Sequence, residues 1–377
     1  MDSDIADYFI SLVQIDSESK DEKRFAKKME QELLKLGAEV KYDNANKKTG
    51  GNVGNLIAYL PGKIDKEPLL FCCHLDTVKP GKNIKPVIKD GRIYSSGDTI
   101  LGADDKSGIA ELIYAIRHLQ RENISYLPIE VIFTISEEIG LLGAKNLDYS
   151  LIRAKKGYAL DTHKLGAVTI QAPSQNSFDI KIIGKEAHAG AEPEKGISAI
   201  RIASESISKL NWGRLDDETT SNIGTIQGGI ATNIIAKETT LTGELRSHNE
   251  DTLKRETDKI INTFIDTAKE FSINIDGKLF EPKVDYEVRK EYSALNVSEH
   301  NEIVQIGLKS AKKLGLPAKT IIGGGGSDAN IIHNNGIDMV ILGTGMRNVH
   351  TVEENIPIDD LIMGTKWIIE IIKEYSK

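Results

Sequence analysis

Two hydrophobic patterns divide the chain. In the first, short apolar runs show no alternation: Leu69-Leu70-Phe71-Cys72-Cys73, Ile129 to Ile135 (broken only by Glu130 and Thr134), Gly157 to Leu160 and Met339 to Leu342. Such runs predict interior strands of a parallel sheet covered on both faces. Asn55 to Leu60 adds a strand, with Pro61-Gly62 as the turn after it. Helical spacing of Ile5, Tyr8, Phe9, Leu12 and Val13 predicts a helix over 4–14, and Ile109, Leu112, Ile113 and Ile116 mark one face of another. Ser19-Lys20-Asp21-Glu22 reads as a capping box opening a helix that runs to Leu36 and stops at Gly37. The second pattern begins near Ser174. There Phe178-Asp179-Ile180-Lys181-Ile182 alternates, the mark of an antiparallel strand with one wet face. Helices at 196–210 and 251–271 and strands at 221–227, 239–246 and 273–286 complete a β-α-β-β-α-β order, which predicts an inserted ferredoxin-like α+β domain. Helix 299–314, closed by Gly315, and an amphipathic helix from Asp359 through Trp367 and Ile371 return to the first pattern. The expected fold is α/β, a mostly parallel sheet sandwiched by helices. Residues 1–174 and 289–377 form its two parts, and 175–288 form the insertion.

Length and charge narrow the function. At 377 residues the chain favours two domains. A net charge of −8 without a Lys/Arg block argues against nucleic acid or an anionic membrane as partner, leaving small substrates. Met1-Asp2-Ser3-Asp4 lacks the basic and apolar regions of a signal peptide, and no apolar run approaches about 18 residues. The only cysteines, Cys72 and Cys73, are adjacent in a buried strand and read as core thiols. A cytoplasmic enzyme fits these features.

The chemistry lies where the apolar runs end. His74 and Asp76 follow the first run two residues apart and project from one side of it, where a carboxylate can orient a metal-bound imidazole. Asp104-Asp105 precedes a helix; Asp105 is a candidate N-cap, which leaves Asp104 free to bridge two cations. Glu137-Glu138 and Asp161 stand past two further strands, and His350 stands past the last. Open α/β sheets bind ligands at this edge. His74, Asp104, Glu138, Asp161 and His350 offer imidazole and carboxylate only, without thiolate, which suits a hydrolytic site holding zinc, manganese or cobalt. Five ligands exceed the need of one catalytic zinc and fit two divalent ions with one bridging aspartate. Such pairs activate water and polarise a carbonyl. Glu137, beside a ligand but not needed as one, is the natural general base.

His74-Leu75-Asp76, Gly102-Ala103-Asp104-Asp105-Lys106-Ser107-Gly108, Ser136-Glu137-Glu138-Ile139-Gly140, Leu160-Asp161 and Val349-His350-Thr351 resemble, in order, the motifs of the co-catalytic zinc exopeptidases. That family includes peptidase T, carboxypeptidase G, aminoacylases and succinyl-diaminopimelate desuccinylase, and the likeness is nearest to its peptidase T branch. The resemblance implies that Asp104 bridges, His74 and Asp161 hold one ion, Glu138 and His350 hold the other, Asp76 stands behind His74, and Glu137 is the base. It also implies that the inserted domain is a lid, often used for dimerisation. His188 in Glu186-Ala187-His188-Ala189-Gly190 resembles the lid histidine that helps hold the carbonyl oxygen, sometimes in the partner subunit's site. Arg246 in Gly243-Glu244-Leu245-Arg246 resembles the arginine that grips a substrate carboxylate, and Asn233 is a further lid candidate. Gly323-Gly324-Gly325-Gly326-Ser327-Asp328 lacks the Lys-Ser/Thr of a phosphate loop and is read as a turn, centred on Gly325, that lets backbone approach the substrate. Thr162-His163-Lys164 departs from the small residues that relatives tend to carry, so His163 crowds or extends the pocket. The expected activity is a two-metal aminopeptidase releasing the N-terminal residue from short peptides, tripeptides above all. Alternatives with the same metal core are a carboxypeptidase, a dipeptidase or an N-acyl-amino-acid amidohydrolase. A metal-dependent binding protein is the reading from another class, and Glu137 speaks against it.

Overall fold

A computed structural model describes residues 2–377. The chain divides into two units, Met1–Ala172 with Leu295–Lys377, and Pro173–Ala294.

In the first unit a mixed sheet is built around the apolar runs. Its centre is parallel: Ile129–Thr134, Leu69–His74, Lys156–Leu165 and Asp338–Gly343 lie side by side in one direction. Every residue of Leu69–His74 and of Ile129–Thr134 is buried, as strands covered on both faces must be. The flanks are mostly antiparallel. Glu39–Tyr42 and Leu56–Leu60 extend one side, and Ala167–Ala172 pairs antiparallel with Asp338–Gly343 on the other. The parallel character read from the sequence thus belongs to the central strands, while the flanking strands run mostly antiparallel. Helices Ala103–Arg121 and Ile358–Tyr375 pack together and bury Ile109, Leu112, Ile116, Trp367 and Ile371 in one continuous core. Because the central strands share a direction, their carboxyl ends share an edge. His74 ends one of them, and Thr134 leads directly into Ser136-Glu137-Glu138.

The second unit is a five-stranded antiparallel sheet in the order Gly213–Asp216, Thr219–Gly228, Glu238–Ser247, Ser174–Ile183, Lys283–Tyr292. Helices Ala199–Ser208 and Glu250–Lys269 supply Ile202, Leu253, Ile260 and Phe264 to its separate core. The stretch 273–286, read as one strand, is instead a hairpin, Ile273–Ile275 with Lys278–Phe280, followed by the long strand Lys283–Tyr292. Asp276 and Gly277 both take positive φ there, the two-residue turn such a hairpin needs.

Among the described residues no helix is long and apolar enough to cross a membrane. Cys72 and Cys73 are free and buried, and burial holds both thiols well above their usual range.

Candidate metal centre

Asp104 is the hub. Its Oδ1 lies 2.9 Å from His74 Nε2 and its Oδ2 lies 3.3 Å from His350 Nε2, so each carboxylate oxygen faces a different histidine. His350 Nε2 also lies 3.0 Å from Glu138. Donor atoms of His74, Asp104 and Glu138 come within 4.8 Å of one another. Asp161 lies within Lys156–Leu165, a strand that runs on past it instead of ending there as the sequence suggested, and its carboxyl is held well above the usual range by burial and then by Asp104, while His74 opposes the shift.

The electrostatics are those of too much negative charge in too little water. Burial pushes Glu137 well up, aided by Asp161, Asp328 and Glu138 and opposed by His74. His350 is pushed up to about 10 by its bonds to Asp104 and Glu138. Burial acts to lower His74, yet Asp104, Asp76 and Glu137 hold it well above its ordinary value. The same carboxylates that push both imidazoles up supply the negative charge that divalent cations would neutralise, and metal binding would require those imidazoles without their protons. Nitrogen and oxygen donors only, with one carboxylate facing both histidines, fit two divalent ions.

The hub is held by buried acids from distant parts of the chain. Asp104 and Asp105 sit in non-helical conformations at the start of Ala103–Arg121, and Asp105 does not cap that helix. Its Oδ2 accepts instead from the His74 amide at 3.3 Å. Gly108 permits this packing: a Cβ there would stand 2.5 Å from Asp105 Oδ1 and 2.6 Å from the Leu160 carbonyl oxygen. His74 Nδ1 makes its 2.8 Å bond to the Asp76 backbone carbonyl, with the carboxylate oxygen Oδ1 farther off at 3.5 Å. The Asp76 carboxylate serves another purpose. It accepts from the amides of Glu137 (2.9 Å) and Glu138 (3.2 Å) and from Ser19 Oγ (2.7 Å). Asp76 therefore positions the glutamate pair as well as the imidazole.

Ser19 and Glu22 are not a capping box. Glu22 makes no side-chain cap for Lys23–Lys35, and its Oε1 accepts from Ser136 N and Ser136 Oγ, both at 3.0 Å, holding Ser136 at a left-handed φ of 52°. Glu354 was not singled out in the sequence. Fully buried and four residues past His350, it takes the amides of Leu101 (2.8 Å), Gly102 (2.8 Å) and Asp104 (3.0 Å), and burial pushes it up to about 7. One carboxylate thus staples the His350 segment to the Asp104 loop. Its only sequence signal is an acid beside an apolar stretch, which surface loops share.

The remaining candidates divide between the units. Gly325 is exposed in the loop before Asp328–Asn334, and none of Gly323 to Gly326 takes a positive φ. Ser327 with Asn330 caps the helix that follows. His188, Asn233 and Arg246 belong to the second unit. Gly190 N and Ala191 N donate to His188 Nδ1 at 3.2 and 3.1 Å, which leaves the ring proton on Nε2. The Asn233 backbone carbonyl accepts from Ala189 N at 2.9 Å. Arg246 is engaged by Glu244 through two bonds of 3.0 Å, Nε to Oε1 and Nη2 to Oε2.

Residues 70–374 match the model of peptidase family M20/M25/M40. A tripeptidase from Staphylococcus aureus subsp. aureus Mu50 superposes with a TM-score of 0.94 at 39% identity, covering 100% of this chain and 99% of its own. Aminopeptidase PepT from Bacillus cereus ATCC 10987 superposes at 0.89 with 42% identity, over 99% and 98% of the two chains. Peptidase T of Brevibacillus brevis is 25% identical over all of both chains. The protein is a hydrolase of peptide substrates, and it belongs to peptidase family M20/M25/M40.

Proposed function

We propose that this chain is a two-metal aminopeptidase that releases the N-terminal residue from short peptides, tripeptides above all. The observation that carries the two-ion reading is the Asp104 carboxylate facing His74 through one oxygen and His350 through the other. His74, Asp104 and Asp161 would hold one ion, and Asp104, Glu138 and His350 the other, zinc being the reading and manganese or cobalt the alternatives. When bound, such a pair supplies an activated water and an electrophile for the scissile carbonyl. Glu137 takes the proton of the attacking water on its carboxylate and delivers it to the leaving amine. Its carboxylate is buried among Asp161, Asp328, Glu138 and His74, out of bulk water. Asp76 keeps Glu137 in place through the amide it binds. His188 Nε2, which carries the ring proton, is available to donate to the carbonyl oxygen. The second unit acts as the lid and as the surface for a homodimer. The specificity for short peptides rests on full-length likeness to a tripeptidase and to PepT. Two buried free thiols suit a reducing, cytoplasmic compartment.

The test is to strip the purified enzyme with a chelator, restore it with zinc, manganese or cobalt, and offer di-, tri- and tetrapeptides with free or acetylated N-termini. Loss of activity on stripping and cleavage of free tripeptides that acetylation blocks are expected. Release of amino acids from acylated compounds would replace this reading with an amidohydrolase or carboxypeptidase.

A further inference from the structure

Residues 15–22 lie ahead of the family-matched stretch 70–374, yet they reach the residues around the metal centre at three points. Lys106, two residues past Asp104 and fully buried, donates from Nζ to the Ile15 carbonyl at 2.7 Å, and the same ammonium stands 4.6 Å from the centre of the Phe25 ring. Ser19 Oγ donates to Asp76 Oδ2 at 2.7 Å. Beside it the chain is tied down by backbone: Thr77 N donates to the Ser17 carbonyl at 3.0 Å and Ser19 N to the Thr77 carbonyl at 3.3 Å. Glu22 is the third point. Fully buried, it makes no cap for the helix Lys23–Lys35, and its Oε1 collects Lys20 N at 2.8 Å with Ser136 N and Ser136 Oγ at 3.0 Å each. Beyond the strand Ile129–Thr134, three successive amides therefore end on two carboxylates: that of Ser136 on Glu22, those of Glu137 and Glu138 on Asp76.

We propose that Glu22 is a positioning residue for the general base: by holding Ser136 in its left-handed turn through two bonds, it fixes the direction in which Glu137 leaves the strand. The inference deepens the reading of Glu137 as the base and rests on it. Backbone geometry supports it. Ser136 has φ of 52°, a conformation that residues other than glycine adopt only when something holds them there. Its dihedrals are the last the chain passes through before Glu137, so an error at Ser136 is carried into the place of the base. Glu22 supplies the hold from both sides of that residue, taking its amide and its hydroxyl on one oxygen. The other oxygen, Oε2, has no hydrogen-bond partner among the described residues, so all of the observed hold passes through Oε1. A glycine at 136 would reach the same φ without a carboxylate, which separates this role from general support of the fold.

Steady-state rates of the metal-loaded enzyme on the free tripeptide Leu-Gly-Gly test the assignment. Glu22→Ala should lower kcat by about 10–100-fold, the usual cost of losing a group that orients a reacting one, with KM and the metal content by elemental analysis held. Glu22→Gln keeps the accepting oxygen and should recover most of that loss. The decisive comparison repeats Glu22→Ala in a Ser136→Gly background. There the further loss should shrink to within about threefold, because glycine takes the turn unaided. Glu22→Asp, which withdraws the carboxylate by one methylene, replaces Glu22→Ala in both backgrounds if the thermal midpoint shows that the alanine variant does not fold. Equal fold-losses in the two backgrounds, a loss confined to KM or tracking lost metal, or an undiminished kcat overturns the proposal. Near-normal turnover by Glu137→Gln would instead overturn the reading of the base, and the comparison across Ser136→Gly would still judge whether Glu22 acts through Ser136.

Discussion

The two sides of Asp104 are built differently. On one, His74 is 2% exposed at the end of an interior strand, and Asp105, Asp76 and Asp104 hold its amide and both ring nitrogens. On the other, His350 is about half exposed on a loop, with φ at +65°, and its ring meets Asp104 and Glu138. Under the proposed two-ion reading, His74 would be a ligand fixed by the interior of the sheet and His350 a ligand presented from an exposed loop.

The largest effect should leave both sides intact. Glu137→Gln is expected to lower kcat by about 10²–10⁴-fold, the range for removing a general base, with metal content unchanged by elemental analysis. Near-normal turnover would remove Glu137 from its role. Histidine substitutions then probe the asymmetry itself. His74→Ala should lose both ions, because the bridging carboxylate loses its fixed partner. His350→Ala should keep one ion per chain and lose activity. Equal metal loss in the two variants would break the comparison. Glu354→Ala, which deprives three amides of their acceptor at once, should weaken metal binding or activity by about 10–100-fold, the usual cost of losing a group that orients ligands. Glu354→Gln should recover part of that loss in a chelator competition assay.

The smallest effect tests the rigid side away from the site. Glu111 is buried on the helix that starts at the hub, pressed against Gly364, and its Oε1 has no partner. Burial holds its carboxyl well above the usual range, with Asp105 and Asp360 adding to the shift. The folded chain therefore keeps a proton that the unfolded chain releases once pH passes about 4.3, so this group lowers stability as pH rises, by about 1.4 kcal/mol per pH unit until the folded form also ionises. Glu111→Gln should flatten the fall in thermal midpoint between mildly acidic and neutral pH while leaving the peptidase rate unchanged. An unaltered slope would show that another group bears that proton.

Much of this was legible because strand ends are local features. A run such as Leu69 to Cys73 cannot be an exposed strand, and the histidine after it must stand at the sheet edge. Hence His74, Asp104 and Glu138 could be picked out though they are far apart in sequence. What was hidden is what depends on distant partners. Ser19-Lys20-Asp21-Glu22 satisfies a local capping pattern, yet Glu22 meets Ser136, 114 residues on, and Ser19 meets Asp76. No periodicity reports such a contact. Glu354 was invisible for the same reason, its three amide donors lying about 250 residues earlier. The 273–286 stretch went astray because apolar residues continue through Asp276-Gly277, and only those two residues announce the reversal.

The strand pairing at the point of insertion has its own consequence. Ala172, where the chain leaves the first unit, and Leu295, where it returns, face each other as antiparallel partners. Directly opposed residues in such a pair stand about 5 Å apart. Any excursion whose two ends meet at that spacing can be spliced in without re-laying the sheet. The first unit is in this sense a socket: its own hydrogen-bond ladder joins the two ends of whatever is inserted there.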